Sequence, residues 1–207
     1  MIDGVRYFLG VVNVIVVPLG LLYWFIIHPW ARWWRMWGPT RTYIAVLPVL
    51  TMLGVWLYRV RGPLLGADLG TNASLIGVGL ALTGLSTWLS IQHWRQLHIT
   101  TLLGIPELSQ HHRGQLLRDG IYGVVRHPRY LSAGIGLMAT VLIVNYVGLY
   151  VLVLCAVPVG YVMLLLEERE LVHRFGTAYE DYQRDVPQLI PRWRPRTKKR
   201  SDESAAR

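Results

Sequence analysis

The chain has 207 residues, 53% of them hydrophobic and only 16% charged, with a formal net charge of +9 and a pI near 10. So little charge excludes an ordinary soluble domain, and the apolar residues fall in long runs instead of the periodic stripes of a water-facing helix. Cys155 is the single cysteine, which excludes an intramolecular disulfide framework.

The first apolar run, residues 7–27, contains Asn13, Pro18 and two glycines but no charge. It lacks the basic leader and small-residue cleavage site of a signal peptide, so a retained membrane span is expected. Trp30, Trp33, Trp34 and Trp37 follow at i, i+3, i+4 and i+7, with Arg32 and Arg35 off that face. This spacing predicts a short interfacial helix with its indoles at headgroup level. A second, short span is expected over 43–58, then a Gly- and Pro-rich turn region. A third span is expected over 73–94, where Gly77, Gly79, Ala81, Gly84 and Ser86 offer small faces for close helix contact. Residues 95–129 are polar. The next 36 residues, 131–166, carry no charge. At about 1.5 Å per residue one helix of that length would measure roughly 54 Å, against a hydrocarbon core of roughly 30 Å. The run must fold back, and Asn145, Tyr146, Val147 and Gly148 supply the turn between spans at 130–146 and 149–166. From Glu167 onward, Leu171, Phe175, Tyr179, Tyr182 and Val186 repeat at three- to four-residue spacing and predict an amphipathic helix.

The expected fold is therefore an all-α integral membrane protein. It has about five transmembrane helices, a C-terminal helical hairpin and a cytoplasmic amphipathic helix. It forms one domain over 1–196, with a disordered basic tail at 197–207. With five spans, eighteen of the 21 Lys and Arg residues fall on one side and only Arg6, Arg59 and Arg61 on the other. That asymmetry places the N-terminus outside and the C-terminus in the cytoplasm. A basic tail beside anionic lipid accounts for the net charge without nucleic acid.

The hairpin brings distant polar residues to one membrane face. One end carries Arg126, His127, Pro128, Arg129 and Tyr130; the other carries Glu167 and Glu168. Pro128 starts a helix, and the N–H groups near His127 to Leu131 form a ready site for a carboxylate. The same residues also fit a simpler role, a helix start with two arginines on headgroup phosphate. Adjacent carboxylates point about 100° apart, so one can face the bundle and the other water. An inward carboxylate suits an ammonium group or ribose hydroxyls; the simpler role is a helix that has left the membrane, with Glu170 and Arg174 as a surface pair. Together the two ends suit an amino acid-like molecule bearing a carboxylate, an ammonium and a ribose. No HExxH, GxSxG or GxGxxG occurs, and His93, His98, His111 and His112 lack carboxylates at metal-ligand spacing, so no metal site is expected.

These residues resemble the integral-membrane methyltransferases that include isoprenylcysteine carboxyl methyltransferase and phospholipid methyltransferases. The first matching segment is Gly120, Tyr122, Arg126, His127, Pro128 and Tyr130. The second is Glu167, Glu168, Leu171, Phe175, Gly176, Tyr179 and Tyr182, followed by Val186-Pro187 and Ile190-Pro191. The resemblance implies S-adenosylmethionine as methyl donor and a lipophilic or membrane-embedded acceptor bearing an amine, thiol, hydroxyl or carboxylate. It implies that Gly114, Gln115, Leu116, Leu117, Tyr122, His127, Pro128, Arg129, Tyr130, Glu167 and Glu168 hold the donor. The prenylcysteine enzymes carry a substrate-associated arginine one turn before the first glutamate, where this chain has Met163. A nicotinamide-dependent sterol-type reductase and a non-catalytic scaffold of the same fold remain as alternatives at this stage.

Overall fold

A computed structural model of the chain describes residues 1–27, 29–96 and 116–191. Among the described residues the α-helices are α1 (Ile2–Ile27), α2 (Ala31–Arg59), α3 (Arg61–Leu65), α4 (Ala73–Trp94), α5 (Pro128–Val144), α6 (Val147–Phe175) and α7 (Thr177–Asp185). A 3-10 turn covers Gly120–Gly123. Four segments are long and apolar enough to cross a membrane: Ile2–Ile27, Met36–Arg59, Ala73–Trp94 and Val147–Phe175. The fourth expected span, at 130–146, falls on α5, a shorter apolar helix of 17 residues. The tail at 197–207 lies outside the described residues, as do Gly114 and Gln115.

The tryptophan segment and the second span were expected as separate helices. They run together as α2, with a break at Gly38 (φ 76°, ψ 165°). Pro39 disfavours the helical region for the residue before it, and glycine takes the positive φ without a Cβ clash. The tryptophan face is also split. Trp34 is buried against Ile27 and Val46, and its indole N–H donates to the Ile26 carbonyl at 2.7 Å. Trp30, Trp33 and Trp37 remain exposed.

α4 and α5 pack side by side. A Cβ on Gly79 would lie 2.5 Å from Ile143 Cγ1 and 2.9 Å from the Ala139 carbonyl oxygen. Seven residues on, the Ser86 hydroxyl donates to the Ser132 carbonyl at 2.8 Å. Gly77 and Gly84 meet nothing. One small face, not several, makes the contact, and it brings α5 close enough for interhelical hydrogen bonding.

The hairpin turn forms where the uncharged run required it. α5 ends at Val144, and Asn145 takes the left-handed conformation (φ 56°, ψ 48°) that asparagine tolerates. Its side-chain amide donates to the Gly70 carbonyl at 2.9 Å and its amide oxygen accepts from the Tyr150 hydroxyl at 2.8 Å. Gly148 lets α6 pass directly over α3: a Cβ there would lie 1.8 Å from the Leu64 carbonyl oxygen. Gly148→Ala should therefore cost about 1–3 kcal/mol or more, visible as a lower melting temperature in detergent. An unchanged melting temperature would mean that the turn can move aside freely.

Arg6 departs from the flanking-loop role expected of it. It lies inside α1 and is buried at this same end of the bundle. Its guanidinium donates to the Val144 carbonyl at 3.1 Å, to Asp3 at 3.0 Å and to Thr71 at 3.1 Å, and pairs with Asp68. The hydrogen bond from Arg6 holds the Asp68 carboxyl below the usual carboxylate range. An arginine so deep is tolerated because its donors find acceptors from three chain segments.

At the C-terminal end, α6 continues without interruption for 29 residues through Glu167 and Glu168 to Phe175. The expected amphipathic helix is thus the last turns of α6 plus the separate α7, divided at Gly176 (φ 57°). The change of direction lets Tyr179, Tyr182 and Val186 pack against Leu116, Leu171, Val172 and Phe175.

Candidate active site

The two ends of the hairpin meet as the sequence requires. The Tyr130 hydroxyl, in the first turn of α5, donates to Glu167 Oε2 at 2.6 Å. Glu168 Oε1 accepts from Arg126 Nε at 3.0 Å, lies 2.8 Å from Arg126 Nη2, and lies 3.0 Å from His127 Nε2. These partners are 37 to 42 residues apart in sequence.

The two glutamates divide the work differently from the expectation of one inward and one in water. Glu168 is the buried one, and its second oxygen accepts from Gln183 at 3.2 Å. Both its oxygens are therefore engaged by the protein. Glu167 is half-buried and also stays at the α5 end, held by Tyr130. Arg126 was expected to offer charge to an anion or to lipid. Instead its remaining donors go to the carbonyls of Gln183 at 2.7 Å and Val186 at 3.0 Å. It clamps α7 and the following segment onto α6. Backbone pairing reinforces the clamp: the Arg126 amide donates to the Pro187 carbonyl at 2.9 Å and the His127 amide to the Gln188 carbonyl at 3.1 Å.

That last bond also narrows the anion site expected at the start of α5. The His127 amide is used, Pro128 has none, and the Leu131 amide donates to the His127 carbonyl at 3.1 Å. Arg129 lies over the Trp24 ring of α1, 4.5 Å from its centroid, and 5.9 Å from that of Tyr130. Trp24 carried no signal in the sequence beyond its place in an apolar run. Gln183 carried none either, since an exposed polar position on an amphipathic helix is ordinary.

Tyr122, in the 3-10 turn, accepts the Tyr182 hydroxyl on its carbonyl at 2.6 Å. Burial pushes the Tyr122 phenol up to about 12, with Arg129 and Glu167 both acting on it. Its hydroxyl is therefore a neutral donor at physiological pH. Leu116 packs beneath Tyr179 and Tyr182, and Leu117 is half-buried beside it in sequence. Burial also raises the phenols of Tyr179 and Tyr182. The Tyr179 hydroxyl is buried with no hydrogen-bond partner among the described residues. Such an atom is costly unless a ligand or water completes it. An apolar groove of about 640 Å³ between α1 and α2, lined by Leu19, Leu47, Gly54 and Tyr58 among others, lies apart from this cluster.

The arrangement joins a carboxylate held by a phenol, a neutral phenol, a histidine fixed by a buried glutamate and an unfilled hydroxyl. A family model described as phospholipid methyltransferase matches residues 75–178, half of the chain. The chain belongs to this family. The resemblance read from the two motifs is thereby borne out, and the family match takes in Tyr122, the His127 to Tyr130 segment, Glu167 and Glu168. Among curated relatives, methanethiol S-methyltransferase 2 of Bradyrhizobium diazoefficiens is 31% identical over 174 residues, covering 78% of this chain and 64% of the relative. Methanethiol S-methyltransferase of Pseudomonas deceptionensis is 28% identical over 174 residues, covering 77% and 63%. Protein-S-isoprenylcysteine O-methyltransferase of Schizosaccharomyces pombe is 38% identical over 77 residues, 37% of this chain and 33% of the relative. The chain thus spans a little under two thirds of the two methanethiol enzymes. No solved structure matches it.

Proposed function

We propose that this family member transfers a methyl group from S-adenosylmethionine to the sulfur of a small or lipophilic thiol. The observation that carries the choice of acceptor is Met163. It is buried on α6, one turn before Glu167, at the position where the resembling prenylcysteine enzymes carry arginine. A carboxylate acceptor inside a membrane needs a cationic partner, because an unpaired charge there costs several kcal/mol. No Lys or Arg lies between Arg129 and Arg169 in sequence. Arg126 is committed to Glu168 and two carbonyls, and Arg129 is stacked on Trp24. A thiol needs no such partner in its neutral form. The two relatives named for methanethiol methylation support the same acceptor.

The donor fits the residues at the hairpin ends. Its ammonium and ribose hydroxyls match the Glu167 carboxylate and the Tyr122 and Tyr130 phenols, and the unfilled Tyr179 hydroxyl offers one more polar contact. Gly114, Gln115, Leu116, Leu117, His127, Pro128, Arg129 and Glu168 complete the proposed donor site. In it Glu168 acts by fixing the His127 ring. Bound there, the donor supplies an activated methyl on a positively charged sulfur. The protein contributes alignment of two bound reactants in a place with little water. Tyr130 and Glu167 orient, and the α7 segment clamped by Arg126 covers the site.

In this reading α5 is a fifth span, the donor arrives from the cytoplasm, and the acceptor enters sideways from lipid between helices. The charge split puts the N-terminus outside and the C-terminus inside. Single-cysteine labelling at Asp3 and at Ser204, in a Cys155→Ala background, should give opposite accessibility. Labelling from the same side would mean an even number of crossings. The acceptor is tested by supplying methyl-tritiated S-adenosylmethionine with methanethiol, a farnesylcysteine analogue or phosphatidylethanolamine. Labelled dimethyl sulfide is expected. Efficient ester formation on farnesylcysteine without thiol turnover would overturn the assignment.

A further inference from the structure

Besides the Tyr179 hydroxyl, one other side-chain atom among the described residues is buried with no hydrogen-bond partner: Nδ1 of His93. His93 sits in the last turn of α4 and is only 2% exposed. Its Nε2 lies 3.4 Å from the Ser132 hydroxyl oxygen on α5. Ser132 has one hydroxyl proton, and it goes to the Arg129 carbonyl at 3.0 Å. Toward His93 the Ser132 oxygen can then only accept. The imidazole proton is thereby assigned to Nε2, and Nδ1 is left as a lone pair with no donor among the described residues.

The position of this lone pair matters. Ser132 is one turn beyond Pro128, on the helix whose first turn carries Tyr130, and its hydroxyl links His93 to the Arg129 carbonyl. His93 therefore lies beside the proposed donor site, one turn deeper between α4 and α5. The close α4–α5 contact through Gly79 and Ser86 holds it there. A structural histidine would be expected to satisfy both nitrogens. This one keeps an unprotonated nitrogen in a place that excludes water.

We propose that His93 Nδ1 takes the proton of the acceptor thiol during methyl transfer, which rests on the thiol methyltransferase reading above. The acceptor S–H bond breaks and its proton goes to Nδ1. The sulfur electron pair so released forms the new S–CH3 bond. The bond between that methyl and the donor sulfur breaks, and its electron pair stays on the donor sulfur. One positive charge leaves the donor sulfur and one appears on the imidazole, so charge balances. Thiols react as thiolates, so a base at this point raises the reactive fraction without requiring a free anion in the membrane.

His93→Gln keeps an N–H for Ser132 and removes the lone pair at Nδ1. Calorimetric affinity for S-adenosylhomocysteine should stay within about twofold of wild type. The kcat with methanethiol at pH 7 should fall by about 100-fold, and should recover as pH rises and solution thiolate replaces the base. Separately, in wild-type protein carrying 15N-histidine and saturated with S-adenosylhomocysteine, methanethiol should shift the His93 Nδ1 resonance. That measurement stands even where the variant fails to fold. A variant with wild-type kcat and pH profile, or an Nδ1 resonance indifferent to methanethiol, would overturn the role of His93. Wild-type protein that binds S-adenosylhomocysteine but methylates no thiol would instead overturn the parent reading, and this inference with it.

Discussion

Glu168→Gln should cost the folded protein about 3–5 kcal/mol, the loss typical when one partner of a buried ion pair is removed. The Glu168 side chain is 11% exposed, Arg126 10% and His127 4%. Glutamine keeps the shape and can still accept a hydrogen bond, but it leaves the Arg126 guanidinium buried without a counter-charge. The clamp from Arg126 to the Gln183 and Val186 carbonyls should loosen with it. The segment after Gly176 then becomes open to limited proteolysis before the membrane helices unfold. A double variant, Arg126→Met with Glu168→Leu, should cost clearly less than the two single losses added together, because it removes both charges at once. Additive losses, or a Glu168→Gln protein that melts like wild type, would mean that the pair is not the clamp.

The second large effect is on binding, at the neighbouring carboxylate. Glu167→Gln removes a charge that is held by Tyr130 and is only half-buried. Stability should change less than in Glu168→Gln, whose carboxylate is the more deeply buried of the two. Affinity for S-adenosylhomocysteine should fall by about 1–3 kcal/mol, the worth of a charge-assisted hydrogen bond, or roughly 5- to 150-fold in Kd. Tyr130→Phe should show the same trend more weakly, because Glu167 keeps its charge and loses its orientation. If Glu168→Gln abolished binding in protein that remained folded while Glu167→Gln was silent, the roles of the two carboxylates would be exchanged.

Much of this arrangement was legible in the sequence. An uncharged stretch of 36 residues cannot remain one helix in a bilayer, so the meeting of its two ends followed from length, and the residues from Asn145 to Gly148 marked the turn. The pairing of Tyr130 with Glu167 is a finding of the structure. What length cannot say is where individual donors end up. Arg126 read as a positive charge at a membrane face. Its actual acceptors, the carbonyls of Gln183 and Val186, are backbone groups that no residue pattern marks. Arg6 read as a flanking charge because its acceptors, Asp68, Thr71 and the Val144 carbonyl, lie on segments far away in sequence. The break at Gly176 was available, since glycine commonly ends a helix, but the continuing spacing of Tyr179 and Tyr182 masked it. Likewise the small residues of α4 announced close packing without saying that Gly79 and Ser86, not Gly77 and Gly84, would meet α5. His93 gave the least warning. A histidine at the polar end of an apolar span is ordinary, and only the committed proton of Ser132 distinguishes it.

The central claim is that the meeting point of the hairpin ends is the donor site, and His127 tests it most directly. It joins α5 to the buried Glu168 and lies in the family motif, while Arg126 remains to pair with Glu168 in its absence. Purified wild-type protein and His127→Ala, each shown to be folded by its melting curve, are titrated calorimetrically with S-adenosylhomocysteine. The account predicts saturable one-to-one binding to wild type and an affinity at least about tenfold weaker in the variant, about 1.4 kcal/mol. Equal affinities would place the donor elsewhere in the molecule and contradict the account.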